Sequence, residues 1–377
     1  MSPLDAILGT RKKIVIKIGT SLLADKIEGI NAVRIEDTAR SVAHLQSLGY
    51  HVVIVSSGAI GAGVGLLKLK ERPRTIPEKQ AAAAIGQPIL MEAYERAFRH
   101  QRCTIAQLLL TKDDFVNRSR YVNIKNTFSA LFQKGVVPII NENDSVAVEE
   151  IKLGDNDNLS ALVSNLIEAG LLIILSDVDG LFSDDPAKNP DARLIPVVER
   201  ISPQIERLAK DRTSELSTGG MITKLQAAKQ CSSSGIAVII TNGANPRVIE
   251  DIVSGRPAGT LFLPQTNRLN VRKKWIGFVS DSKGAVVVDD GARGALLKKQ
   301  KSLLPSGVLE IRGEFKARDT ISVLDLLGNE IAKGVSGYSS AELSKIKGKK
   351  TGEIQKILNR GGGEVIHRNN LVLTGVE

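Results

Sequence analysis

The sequence predicts an α/β fold, a mainly parallel sheet with helices on both faces, followed by a small β-rich domain. Three observations carry this. Short aliphatic runs alternate with helix-period segments over the first 267 residues. Aromatic residues make up only 3%, so the core rests on Val, Ile, Leu and Ala, as buried parallel strands require. After about residue 264 the pattern changes to short strands broken by Gly, Asp, Asn and Lys.

The elements follow in order. Ile14–Ile18 is a strand stopping at Gly19, and a helix at about 33–48 places Ile35, Ala39, Val42 and Ala43 on one face. His51–Val55 is the next strand. Helix fills most of 59–99, with Pro88 expected to kink or interrupt it. A strand at Ile105–Leu110, a helix at 118–134 and a strand at Val136–Ile140 come next. The polar segment 141–158 holds six acids and one base, with a hairpin suggested by Val146–Val148 and Glu150–Leu153. A helix at 159–169 has Asp157 or Asn158 as its candidate cap. Leu171–Leu175 is a strand, 176–218 a long polar stretch, and helix 220–234, strand 236–240 and helix 246–254 close the alternation. Strands at 285–288, 308–311, 320–324 and 330–335 with a helix at 291–299 form the second module, and 361–377 reads as a loose tail.

Composition narrows the function. The chain has 377 residues, enough for two domains, and its 42% hydrophobic and 24% charged content describes a soluble globular protein. No apolar run spans a bilayer and no signal-peptide core opens the chain. Cys103 and Cys231 are the only cysteines and four His are scattered, so a disulfide framework and a Cys/His metal cluster are excluded and a reducing cytoplasm is expected. Net charge is +10, unevenly placed. Residues 1–267 hold 31 basic and 29 acidic side chains, whereas 268–377 hold 20 and 12. A basic appendage raises RNA as a partner, against the blander reading of a solvated Lys-rich surface.

In open α/β sheets ligands gather beyond the carboxyl ends of strands. Lys17-Ile18-Gly19-Thr20-Ser21 follows the first strand and can hold a phosphate. Ser57-Gly58-Ala59-Ile60-Gly61-Ala62-Gly63 follows the second; its small residues admit either a ligand at a helix start or tight packing. Its glycines do not give the dinucleotide fingerprint. Asn141-Glu142-Asn143-Asp144 and Gly154-Asp155-Asn156-Asp157-Asn158 offer amides and carboxylates suited to a zwitterion, a metal or simple solvation, though not with EF-hand spacing. Ser176-Asp177 leaves the strand at 171–175. Thr218-Gly219-Gly220-Met221-Ile222-Thr223-Lys224 opens a helix with free backbone N–H groups and a lysine, a phosphate site by mechanism. Neither a Walker A loop nor the protein-kinase motif set is present.

These five motifs, in this order, closely resemble the glutamate 5-kinase branch of the amino acid kinase family. The resemblance covers 11–267 as a kinase domain of αβα sandwich form, with 268–281 as linker and 282–360 as a PUA-like domain. It implies ATP-dependent phosphorylation of the side-chain carboxylate of L-glutamate to L-glutamyl 5-phosphate, the first step of proline synthesis, with feedback inhibition by proline. It implies Lys17 and Lys224 as the catalytic cations and Asp157 as their organiser. Ser57, Gly58, Ala59, Asn141, Asp144, Asp155 and Asn156 would bind glutamate. Lys17, Ser176, Asp177 and residues Thr218, Gly219, Gly220, Met221, Ile222, Thr223 and Lys224 would bind ATP, with Mg²⁺ carried mainly by the phosphates and no metal site of the protein's own. Homo-oligomers are the rule in the family. The rival readings are another amino acid kinase, acting on N-acetylglutamate or aspartate, and an RNA-binding protein whose basic module is primary.

Overall fold

The computed structural model describes residues 3–23, 29–69, 71, 73–147, 156–210, 220–256, 258–265, 282–299, 301–349, 351–358 and 363–374. The chain divides into two compact units, Met1–Arg268 and Leu269–Glu377. The linker expected at 268–281 and the hairpin expected from Val148 onward lie outside the described residues, apart from Val146 and Ala147 in a turn.

The first unit is built on an eight-stranded sheet among the described residues. Its strands are β1 (Lys13–Ile18), β2 (His51–Val55), β3 (Ile105–Leu110), β4 (Val137–Glu142), β5 (Leu171–Ser176), β6 (Val197–Val198), β7 (Ala237–Asn242) and β8 (Thr260–Phe262). The order is β3-β4-β2-β1-β5-β7-β8-β6, with β7–β8 the antiparallel pair. β1 lies at the centre, in register with β2 at Lys17–Val55 and with β5 at Lys17–Ile174. It is parallel to both, so the chain leaves it in two directions and a crevice opens beyond its carboxyl end. Ile14, Val15, Ile16 and Ile18 are fully buried, as are Leu171, Leu172, Ile173 and Ile174. Each such side chain contributes about 1.5–3 kcal/mol relative to an exposed one. Pro138 is tolerated because β4 pairs with β2 only from Ile139 onward.

Helices α1 (Pro3–Thr10), α2 (Thr20–Leu23), α3 (Ala32–Ser47), α4 (Ala59–Leu66), α5 (Ile76–His100), α6 (Lys112–Val116), α7 (Arg118–Gln133), α8 (Asn156–Ile167), α9 (Pro203–Lys210), α10 (Met221–Ser233) and α11 (Val248–Val253) cover the sheet. Two differ from the sequence reading in ways that matter. α5 runs unbroken through Pro88, whose side is exposed; the break falls instead before the Thr75 capping box. α8 starts at Asn156, so Asp157 is not a cap but a buried residue of the first turn. The small residues after β2 serve packing. A Cβ on Gly63 would collide with the Ala82 carbonyl, and one on Gly86 with the Ala59 carbonyl, so α4 and α5 meet backbone to backbone. Among the described residues, no helix is long and apolar enough to cross a membrane.

The second unit has a five-stranded sheet among its described residues: β9 (Gly284–Val288), β10 (Val308–Arg312), β11 (Thr320–Leu324), β12 (Glu330–Val335) and β13 (Leu371–Leu373). The order is β10-β9-β11-β12-β13, antiparallel except for β9–β11. Val286, Val288, Ile321, Val323, Leu343 and Ile366 form its core. The fifth strand comes from the segment that reads as a loose tail. Leu371 and Val372 are buried against β12, and Ile366 bridges to Leu303.

Candidate active site

Lys17 is the penultimate residue of β1, where strand alternation and burial hold its stem between β2 and β5. Lys224 is the fourth residue of α10, whose N-cap is the extended Gly220. Asp157 occupies the first turn of α8, a helix whose residues Leu159–Ile167 are all buried. These three elements converge on one carboxylate. Lys17 Nζ lies 2.7 Å from Asp157 Oδ1 and Lys224 Nζ 3.2 Å from Oδ2, with Asp157 fully buried and both lysines nearly so. Thr223 Oγ1 is 2.9 Å from Asp157 Oδ2 and also 2.9 Å from the Gly220 carbonyl. The two ammonium groups and the one carboxylate sum to +1 among these three side chains, and ammonium groups so placed attract an incoming polyanion. The first-turn N–H groups of α10 have no N-cap side-chain hydrogen bond among the described residues.

A second set of polar groups lies on the β2–β4 side of the crevice. Asn156 Nδ2 donates to the Ser56 carbonyl at 2.8 Å, to Ser57 Oγ at 2.8 Å and to Asn141 Oδ1 at 3.1 Å. The Ser56 carbonyl can only accept, which fixes the Asn156 amide and leaves its buried Oδ1 without a hydrogen-bond partner among the described residues. Ser57 follows β2, and Gly58 takes φ +100 to turn the chain into α4, whose first residue is Ala59. Asn141 ends the buried part of β4, and Asp144 sits in the turn beyond it. Ala59, Glu142, Asn143 and Asp144 share the lining of one small recess with Ala83 and Gln87 of α5.

The structure therefore gathers Lys17, Lys224, Asp157 and Thr223 into one cluster, and Ser57, Asn141 and Asn156 into another. Gly220, Met221 and Ile222 sit at the start of α10 beside Thr223. Ser176 and exposed Asp177 end β5 and hydrogen-bond to each other, Ser176 Oγ to Asp177 Oδ1 at 2.9 Å. Asp155, Thr218 and Gly219 lie outside the described residues. The sequence reading passed over Gln87 and Tyr94. Gln87 Oε1 accepts from Asn141 Nδ2 at 2.9 Å, and the Tyr94 hydroxyl lies 3.0 Å from Ser56 Oγ. Both belong to α5, seven residues apart and so on one helix face. Burial pushes the Tyr94 phenol well above its ordinary value, the Ser56 hydrogen bond pulling the other way.

The chain matches the amino acid kinase family model over residues 12–242 and the PUA domain model over 284–358. A glutamate 5-kinase of Geobacter metallireducens is 50% identical over 369 residues, covering 98% of this chain and 99% of that protein. One from Moorella thermoacetica is 47% identical over 369 residues and covers 98% of each. Among solved structures, a carbamate kinase from Giardia lamblia bound to AMP-PNP aligns with a TM-score of 0.50 at 19% identity, over 68% of this chain and 99% of that one, a likeness of fold alone.

Proposed function

The chain belongs to the amino acid kinase family, in its glutamate 5-kinase branch, and on that premise we propose that it transfers the terminal phosphoryl group of ATP to the side-chain carboxylate of L-glutamate. The observation that carries this reading is the pair of buried lysines meeting on Asp157, whose chain neighbour Asn156 holds Ser57 and Asn141. The acceptor carboxylate is ionised at neutral pH and needs no general base. One carboxylate oxygen bonds to the γ-phosphorus as the bond from that phosphorus to the ADP oxygen breaks, and no proton moves. The barrier is the repulsion between two anions and the charge on the transferring group. Lys17 and Lys224 offset both, approaching from β1 and α10, while Asp157 keeps them apart from each other and in place.

Ser57, Gly58, Ala59, Asn141, Asp144 and Asn156 bind the amino acid, and we add Asp155 by its place in the motif. The unpartnered Asn156 Oδ1 suits the α-ammonium, as does the Asp144 carboxylate. Ser176, Asp177 and the turn from Thr218 to Lys224 bind ATP, which brings Mg²⁺ on its phosphates. Proline inhibits by occupying the glutamate recess, and the protein works as a cytoplasmic homo-oligomer. The free thiols of Cys103 and Cys231 suit that reducing compartment. The basic second unit acts as a scaffold or regulator.

The test is trapping of the acyl phosphate as a hydroxamate. Glutamate, ATP and Mg²⁺ yield the product, N-acetylglutamate and aspartate do not, and proline suppresses it. No hydroxamate with glutamate overturns the reading. Steeply salt-dependent tRNA binding without glutamate-dependent turnover would favour the RNA-binding alternative.

A further inference from the structure

We infer that Gln87 is a specificity-determining residue whose Nε2 donates a hydrogen bond to the α-carboxylate of the bound amino acid. The inference rests on the glutamate reading above, and deepens it. The argument is one of hydrogen-bond polarity. The Glu142 backbone N–H, which can only donate, reaches Asn141 Oδ1 at 2.9 Å, so that atom is an acceptor. Asn156 Nδ2 confirms the orientation from another side, its own polarity being fixed by the Ser56 carbonyl. Asn141 Nδ2 is therefore a donor, and the Gln87 atom it meets at 2.9 Å is Oε1. The other end of the Gln87 amide is then an N–H₂ group, set on a half-buried side chain that lines the recess. No hydrogen bond within the described residues uses it.

The recess supplies the second half of the argument. Its lining includes Ala59, Glu142, Asn143 and Asp144, and neither Lys17 nor Lys224. It is the end of the site away from the transferring phosphoryl group, so it takes the α end of the amino acid. Acidic Glu142 and Asp144 suit the ammonium there; the adjoining carboxylate needs donors. Gln87 Nε2 is one, held in position at no cost in new order because Oε1 is already tied to Asn141. Gly86, the neighbour of Gln87, packs backbone to backbone against α4.

Calorimetric titration of the full chain with glutamate, with 4-aminobutyrate, which lacks the α-carboxylate, and with ATP tests the proposal. Gln87→Leu removes both amide ends, while Gln87→Glu keeps the acceptor for Asn141 and turns the donor into an anion. Both should weaken glutamate binding about tenfold or more, Gln87→Glu the more severely. Gln87→Glu, which keeps the acceptor for Asn141, should leave ATP binding within about twofold of the parent and should not weaken 4-aminobutyrate binding. A Gln87→Glu protein that binds glutamate like the parent would assign Gln87 to holding Asn141 alone and overturn the proposal. So would equal losses for glutamate and 4-aminobutyrate. Retained ATP binding shows that the variants are folded. Binding is read without turnover, so loss of hydroxamate formation in the parent with a normal Gln87 effect on binding would remove the kinase reading and leave this one. A parent chain that binds no glutamate overturns both.

Discussion

Replacing Asp157 by Asn tests the charge logic of the site most directly. The carboxylate is fully buried, with Lys17 at 2.7 Å and Lys224 at 3.2 Å. At an effective dielectric of about 20 these distances correspond to about 6 and 5 kcal/mol of attraction. Desolvation of three buried ions offsets most of it, and breaking a buried pair typically costs about 3–5 kcal/mol. Asp157→Asn is isosteric but removes the negative charge between the two lysines, so the apo protein should lose about 3–5 kcal/mol. Urea unfolding followed by circular dichroism reads this. The sign of the ATP effect is the sharper test. A polyphosphate neutralises the excess charge of the variant more than that of the parent, so saturating ATP should narrow the stability gap. Turnover should fall at least about a hundredfold even so, because the lysines are no longer held. An apo loss under about 1 kcal/mol, or a gap that widens with ATP, would refute the reasoning.

Lys17→Ala and Lys224→Ala should each lower kcat by about 10²–10³-fold while glutamate KM moves less than about threefold; near-normal turnover in steady-state assays would remove their role. Gly63→Ala and Gly86→Ala should cost about 1–3 kcal/mol or more by forcing α4 from α5, whereas Gly61→Ala, with open space around it, should be neutral or gain up to about 1 kcal/mol by thermal unfolding. Tyr94 and Tyr121 should make the protein alkali-sensitive. Burial raises both phenols, Tyr121 to about 12 with help from Glu168. Unfolded tyrosine ionises near pH 10. Above that value the unfolded chain releases protons that the folded chain keeps, so the stability is whole below about pH 10 and falls as pH rises, by about 1.4 kcal/mol per pH unit for each residue. Tyr94→Phe should remove one such increment from the slope of stability between about pH 10 and 12, and an unchanged slope would contradict it.

The central strands were legible because nothing competes with their signal. Runs such as Ile14–Ile18 and Leu171–Leu175 are aliphatic throughout, and only a strand buried on both faces tolerates that. The short strands β6 and β8 escaped because two or three residues carry no periodicity. β13 escaped because Leu371–Leu373 follows Asn369-Asn370 and borrows its strand character from β12. The same division holds in the site. Lys17 and Lys224 are readable because each adjoins a strand end or a glycine turn, whereas the place of Asp157 between them followed from the family resemblance and the residues alone suggested only a helix cap. Gln87 and Tyr94 sit inside a long helix, after its run of four alanines at 81–84. Their partners lie 54 and 38 residues away, and no local pattern marks such contacts.

The start of α8 has a consequence for how such an enzyme changes over time. Asn156 and Asp157 are adjacent, yet one serves the amide cluster beside β2 and β4 and the other the lysines of β1 and α10. Successive residues of a helix diverge by about 100°, so one rigid turn addresses two chemistries at once. The face that receives the amino acid can be rebuilt through α4, α5 and β4 while the face that moves phosphate stays untouched. A residue inserted between Asn156 and Asp157 would turn one by about 100° against the other and pull one of them from its partners, so this turn tolerates no change in length.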